Sequence, residues 1–124
     1  MNPAVLPRLD PAASVDPTVA TFLDALRAAG FAGEIRSDYA TRLSAATDNS
    51  IYQMLPAAVI FPRTGEDVQR ALQLIDRPQF HPVALTARGG GTGTNGQALT
   101  TGVVLDLSRH MRAIVSLDLE AGYV

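Results

Sequence analysis

Residues 88 to 97 read Arg-Gly-Gly-Gly-Thr-Gly-Thr-Asn-Gly-Gln, so half of this stretch is glycine and most of the rest carries a hydroxyl or an amide. Glycine admits positive φ and lacks the Cβ that keeps a ligand away from the main chain. Such a run leaves several N–H groups free to converge on an anion, above all a phosphate. Thr92, Thr94 and Asn95 add donors, and Arg88 stands at the mouth of the loop, where a guanidinium is able to give a charge-assisted bond to phosphate. The expected ligand is the diphosphate of a dinucleotide. The alternative is a flexible glycine hairpin that binds nothing, although the residues are not those of a Gly/Ser linker.

Composition removes several other chemistries. All ten basic residues are arginine. Without lysine there is no GxxxxGK[ST] phosphate loop and no Schiff-base nucleophile. Without cysteine the chain holds no disulfide, thiolate nucleophile, iron–sulfur ligand or thiolate zinc site. The arginines are scattered and the net charge is −2, so no basic stripe points to nucleic acid. No apolar run approaches the ~20 residues of a membrane span. Met1 to Ser14 lacks the basic-then-apolar order of a secretory leader, which makes the cytoplasm the default expectation.

The spacing of Gly91, Gly93 and Gly96 also satisfies GxGxxG. The Rossmann reading of that pattern needs a helix opening at the loop. Only Gln97 to Gly102 separate the loop from the next expected strand, too few for a crossover helix. Glu120 stands near the spacing of a ribose-binding acid, but it follows two further expected strands.

The elements that must position the loop follow from pattern. Met1 to Val15, with three prolines, reads as an extended arm. Asp16 and Pro17 open a helix that Gly30 ends, with Val19, Phe22, Leu23 and Leu26 on one face. Residues 1–35 therefore form an arm and a helix. Residues 36–55 form an irregular lead-in, rich in side chains able to face a ligand, although its pattern alone favours a solvated connection with short helical turns. Residues 56–124 carry the remainder. Pro56 to Pro62 encloses a short β-branched strand, and Thr64 caps a helix with Val68, Ala71, Leu72 and Ile75 as its apolar face. Val83–Ala87, Val103–Leu107 and Ala113–Leu117 read as further strands, with a hairpin at Asp118–Gly122. The strand–helix–strand unit over residues 57–87 is expected to be a parallel crossover and the last strands antiparallel. The fold class is α+β, a mixed sheet with flanking helices. A chain ending as a strand begins is expected to be part of a longer one.

Pro56-Ala57-Ala58-Val59-Ile60-Phe61-Pro62-Arg63-Thr64, then Val68, the Arg88–Gln97 loop and Gly102-Val103-Val104-Leu105-Asp106-Leu107-Ser108 occur in a distinctive order. That order resembles the first part of an FAD-binding domain of the vanillyl-alcohol-oxidase/p-cresol-methylhydroxylase type. Within it, the chain is most similar to the FAD-linked D-lactate and D-2-hydroxyglutarate dehydrogenase branch, and Asp38 to Tyr52 is similar to the lead-in of bacterial members. The resemblance covers residues 36 to 124. It implies that Arg88, Gly89, Gly90, Gly91, Thr92, Gly93, Thr94, Asn95, Gly96 and Gln97 wrap the FAD diphosphate through main-chain N–H groups. It also puts Pro62 near the nucleotide half of the flavin and the Asp106–Ser108 strand end beside the site.

Some relatives tether FAD through a histidine or cysteine in or beside this loop. This loop has neither, and His81 and His110 read as surface or turn residues, so non-covalent FAD is expected. The resemblance further implies that the rest of the cradle, the catalytic base and the groups that hold a small 2-hydroxy acid lie in later domains. Any iron–sulfur cluster would lie beyond these residues too. No catalytic or metal-ligating residue is assigned within them, and the chain alone is expected to be inactive. A stand-alone nucleotide-binding or structural module is the alternative. Uncovered strand edges favour self-association.

Overall fold

A computed structural model describes residues 15–124. Apart from Val15, the expected N-terminal arm lies outside the described residues. In chain order the elements are α1 (Pro17–Ala28), β1 (Glu34–Arg36), α2 (Tyr39–Ser44), β2 (Ala58–Phe61), α3 (Gly65–Ile75), a 3-10 turn (Pro78–Phe80), β3 (Leu85–Arg88) and β4 (Val103–Asp106). The sheet order is β1-β2-β4-β3. β1 runs antiparallel to β2, while β2, β4 and β3 are parallel, with Val103 opposite both Ala58 and Leu85. The result is the expected mixed sheet with helices on its faces, an α+β fold.

Strand alternation divides the core in two. Ala58 and Ile60 of β2 and Val103 and Leu105 of β4 face α1 and α3, in one cluster with Val19, Phe22, Leu23, Leu26, Ala71 and Leu74. Phe22 meets Phe80 edge to face, with ring centroids 5.5 Å apart. Val59, Phe61 and Val104 point the other way and pack with Ala45, just beyond α2. The central strands are thus buried on both faces, which explains why they read as continuous apolar runs.

Four expectations need correction. The lead-in at Gly33–Leu55 is not wholly irregular, because it holds β1 and α2. β1 has only three residues and owes its conformation to pairing with β2. α2 is started by Asp38, whose carboxylate accepts from Thr41 N at 3.0 Å. Second, Ala113–Leu117 is not a strand. β4 already has a neighbour on each side, so a segment following it closely finds no free edge, and Ile114, Val115 and Leu117 stay exposed. Third, the antiparallel pairing expected of the last strands is reduced to a single bridge, Asp118 with Tyr123, which closes the expected hairpin; β4 itself pairs only in parallel, with β2 and β3. Fourth, Leu72 is not on the buried face of α3: Ala71 is buried as expected, and Leu74 takes the place of Leu72.

The 57–87 unit is a parallel crossover as expected, but β4 lies between its two strands. The β3–β4 connection is also a parallel crossover, made by the glycine loop where a helix is usual.

Asp67 ties this framework together. It is fully buried. Its carboxylate accepts from Ala32 N at 2.8 Å and Arg63 N at 3.0 Å, and pairs with Arg70 Nη1 at 3.3 Å. Burial opposes its charge, yet those N–H bonds and the Arg70 guanidinium hold its carboxyl below the usual range. Thr64 Oγ1 accepts from Asp67 N, so the α3 cap forms as expected, but the reciprocal arm reaches past the cap to Arg63 and Ala32. Asp67→Ala leaves two N–H groups unpaired and is expected to cost about 2–4 kcal/mol in urea unfolding. Asp38 is held down to about 2 by the Thr41 N–H, then by Arg36 and the Thr41 hydroxyl. Its folded value lies below the ordinary one, so its support of α2 is complete above about pH 4 and is lost as pH falls through about 2. Carboxyl NMR should give a midpoint near 2 for Asp38; an ordinary midpoint would show that the cap does not form in solution.

Candidate cofactor site

β2, β3 and β4 run in parallel and end at Phe61, Arg88 and Asp106, so their carboxyl ends lie along one edge of the sheet. Ligands of open α/β sheets bind outside such ends. A cleft of about 420 Å³ opens there on the α2 face, lined by Thr41, Ser44 and Ala45, by Val59 and Phe61, by Arg88, Gly89 and Gly90, and by Asp106, Ser108, Arg109 and Arg112.

Three arginines and one carboxylate residue contribute to this lining. That carboxylate is partly occupied, because Asp106 Oδ1 accepts from Ser108 N at 2.8 Å and from Ser108 Oγ at 2.6 Å. Arg109 is fixed on two sides. Its Nη1 donates to Glu34 Oε2 at 2.8 Å, and its Cζ lies 3.7 Å from the centroid of the Phe61 ring. Glu34 Oε1 is 2.8 Å from His110 Nε2. Hydrogen bonding to His110, opposed by burial and supported by Arg109, keeps the Glu34 carboxyl below the usual range. The cleft therefore carries a net positive field suited to an anion.

The glycine loop divides at Gly91. Gly89 and Gly90 line the cleft, and neither has positive φ. A Cβ at Gly89 would meet nothing within 4 Å, and one at Gly90 only Thr92 Cγ2 at 3.6 Å. Their missing side chains leave open the space a ligand needs. Gly91 turns the chain with φ +68°, and a Cβ there would strike the Arg88 guanidinium, with Cζ only 2.7 Å away. Thr92, Thr94 and Asn95 are exposed. The Gln97 side chain folds beneath Gly93 and accepts from Asn95 N at 3.1 Å. Gly96, at φ +76°, sits against the Tyr52 ring, 3.0 Å from where its Cβ would be. Pro62 is fully buried and does not line the cleft. His81 bonds the Asp76 carbonyl at 3.0 Å and is exposed.

Arg88, expected at the mouth of the loop, is oriented into the structure. Its Nη2 donates to Thr47 O at 2.9 Å, and its Nη1 is buried without a partner. Sequence reasoning did not single out Thr41, Ser44, Arg109 or Arg112. An arginine just after a strand whose end faces the cleft is the signal that points to Arg109. The two from α2 had no signal, because α2 itself was missed.

Comparison with known proteins places the chain in a family. Residues 56–124 match the family described as FAD binding domain. A D-2-hydroxyglutarate dehydrogenase of Pseudomonas putida is 57% identical over 103 residues, covering 83% of this chain and 10% of that protein. Its Escherichia coli counterpart is 45% identical over 120 residues, covering 97% and 12%. The chain thus spans between 10% and 12% of the length of these relatives. A solved structure of alkyldihydroxyacetonephosphate synthase, 19% identical, matches 91% of this chain and 22% of its own with a TM-score of 0.69, a likeness of fold. The strand ends, the glycine loop between two parallel strands and the family match agree: this chain belongs to the FAD binding domain family, with the α+β fold of the vanillyl-alcohol-oxidase/p-cresol-methylhydroxylase type.

Proposed function

We propose that residues 88–97 hold the diphosphate of a non-covalently bound FAD and that the protein oxidises a D-2-hydroxy acid of the lactate or 2-hydroxyglutarate kind. The observation that carries the cofactor part is the open space over Gly89 and Gly90, at strand carboxyl ends beside Arg109 and Arg112. Main-chain N–H groups at Gly89 to Gly91 would approach the phosphates, and Arg109, braced by Glu34 and Phe61, would offset their charge. Pro62, buried at the end of β2, would support the nucleotide half through packing. Non-covalent binding is supported by a loop without histidine or cysteine. Bound FAD supplies a two-electron acceptor for the hydride of the hydroxy acid. The substrate class is supported by the D-2-hydroxyglutarate dehydrogenases to which the chain is similar.

Fluorescence titration of the 124-residue chain tests the cofactor part. FAD and ADP should bind alike, with Kd on the order of 0.1–1 mM, and riboflavin, which has no phosphate, should not bind. Gly89→Val should abolish FAD binding and leave the melting temperature within about 2 °C, because it fills the cleft without touching the fold. Equal binding of riboflavin, or an unaffected Gly89→Val, would exclude a diphosphate site.

We also propose that the chain self-associates through its sheet edges, β1 and β3, aided by the exposed Ile114, Val115 and Leu117. Sedimentation velocity should show mass rising with concentration; a monomer throughout would refute it.

A further inference from the structure

The glycine loop rests on a piece of chain that the family match does not reach. Thr47 and Gln53 form an antiparallel bridge that closes a short strap. Tyr52 of the strap packs under Gly96, and Thr47 O accepts from Arg88 Nη2 at 2.9 Å. The Gly91 turn lies directly over the Arg88 guanidinium. Within the same junction, Asp48 Oδ1 accepts from Ser50 N at 2.8 Å. Two complementary atoms are left over: Asp48 Oδ2 and Arg88 Nη1 are both buried and without partners. A buried donor or acceptor left unmade is costly, and a buried charge more so. Arg88 bonds the carbonyl of Thr47, the residue next to Asp48, so one unpaired group of each sign belongs to one junction, which points to a shared role.

We propose that Asp48 and Arg88 are positioning residues for the cofactor: Arg88 supports the Gly91 turn on the plane of its guanidinium, and Asp48 supplies the counter-charge that keeps it there. This rests on the reading of the loop as a diphosphate site. Arg88 then acts through the loop's shape, not as a direct ligand of phosphate. The guanidinium is flat and forked, so it bonds Thr47 with one nitrogen, keeps another free for a counter-charge and still presents a surface to Gly91. An ammonium group has no such plane. The Asp48 carboxyl is held below its usual range by bonding from Ser50 and, further, by the Arg88 charge, which fits the two groups acting together.

FAD titration of the chain and its Asp48→Asn, Arg88→Lys and doubly substituted forms tests this, with riboflavin as control. Each single change should weaken FAD binding about five- to tenfold, and the double change should be no worse than either alone. A direct phosphate contact would instead be largely rescued by lysine and would be indifferent to Asp48. Unchanged affinity for Asp48→Asn, or additive losses, would overturn the proposal. A cofactor-free readout separates it from the diphosphate reading. Side-chain 15N NMR should show restricted rotation of the Arg88 guanidinium in the parent chain and free rotation in Asp48→Asn. Free rotation in the parent chain would refute the lock. If Gly89→Val fails to reduce FAD affinity, the diphosphate reading falls and the proposed role in cofactor positioning falls with it.

Discussion

Because β4 hydrogen-bonds to β2 on one side and β3 on the other, with Val103 level with both Ala58 and Leu85, three parallel strands end together. Everything at the cleft depends on that ladder. It puts Phe61, Arg88 and Asp106 in line, and strand alternation turns Arg88 and Asp106 to the α2 face with Val104. It also requires the chain to travel the full length of the sheet between β3 and β4. The sequence devotes that return to glycines rather than a helix. A helix would present one N-terminus to an anion; the irregular return offers a longer run of main chain.

The arginines of the cleft divide the electrostatic work. Arg109 is fastened to Glu34 and stacked on Phe61, which leaves its remaining edge toward the opening. Arg88 turns into the junction with the strap. Both are anchored by chain preceding β2: Glu34 in β1, and Thr47 in the strap. The N-terminal third therefore does more than cover the sheet. It sets the orientation of cations that the later strands contribute.

Much of this was legible in residue order, and the failures have physical causes. Asp16, Pro17 and the Val19–Leu26 face specify α1 locally, and α1 matches its expected buried face. β2 and β4 were readable because strands buried on both faces must be apolar throughout. β1 was not, since three residues carry no period and its conformation comes from a partner distant in sequence. Ala113–Leu117 has the composition of a strand, but composition cannot show that both sides of β4 are taken. Asp67 looked like half of a capping box; its reach to Ala32 is a tertiary contact that no local pattern encodes. At the site, the glycines announced an uncovered main chain, which Gly89 and Gly90 show. The inward turn of Arg88 depends on Thr47, which is remote in sequence, so the residue type alone suggested a phosphate ligand.

The strap from Thr47 to Gln53 lies outside the residues that match the family, yet it bears on Arg88 and Gly96 from below. The similarity to the dehydrogenases runs through the strap, but the stretch matched to the family starts after it, so the family's boundary and the limits of mechanical support do not coincide. A domain excised at residue 56 would retain every glycine of the loop and both flanking strands, but would lose the surface that shapes it. Variation in the strap among otherwise similar proteins therefore offers a way to tune cofactor affinity without altering any residue that faces the cofactor.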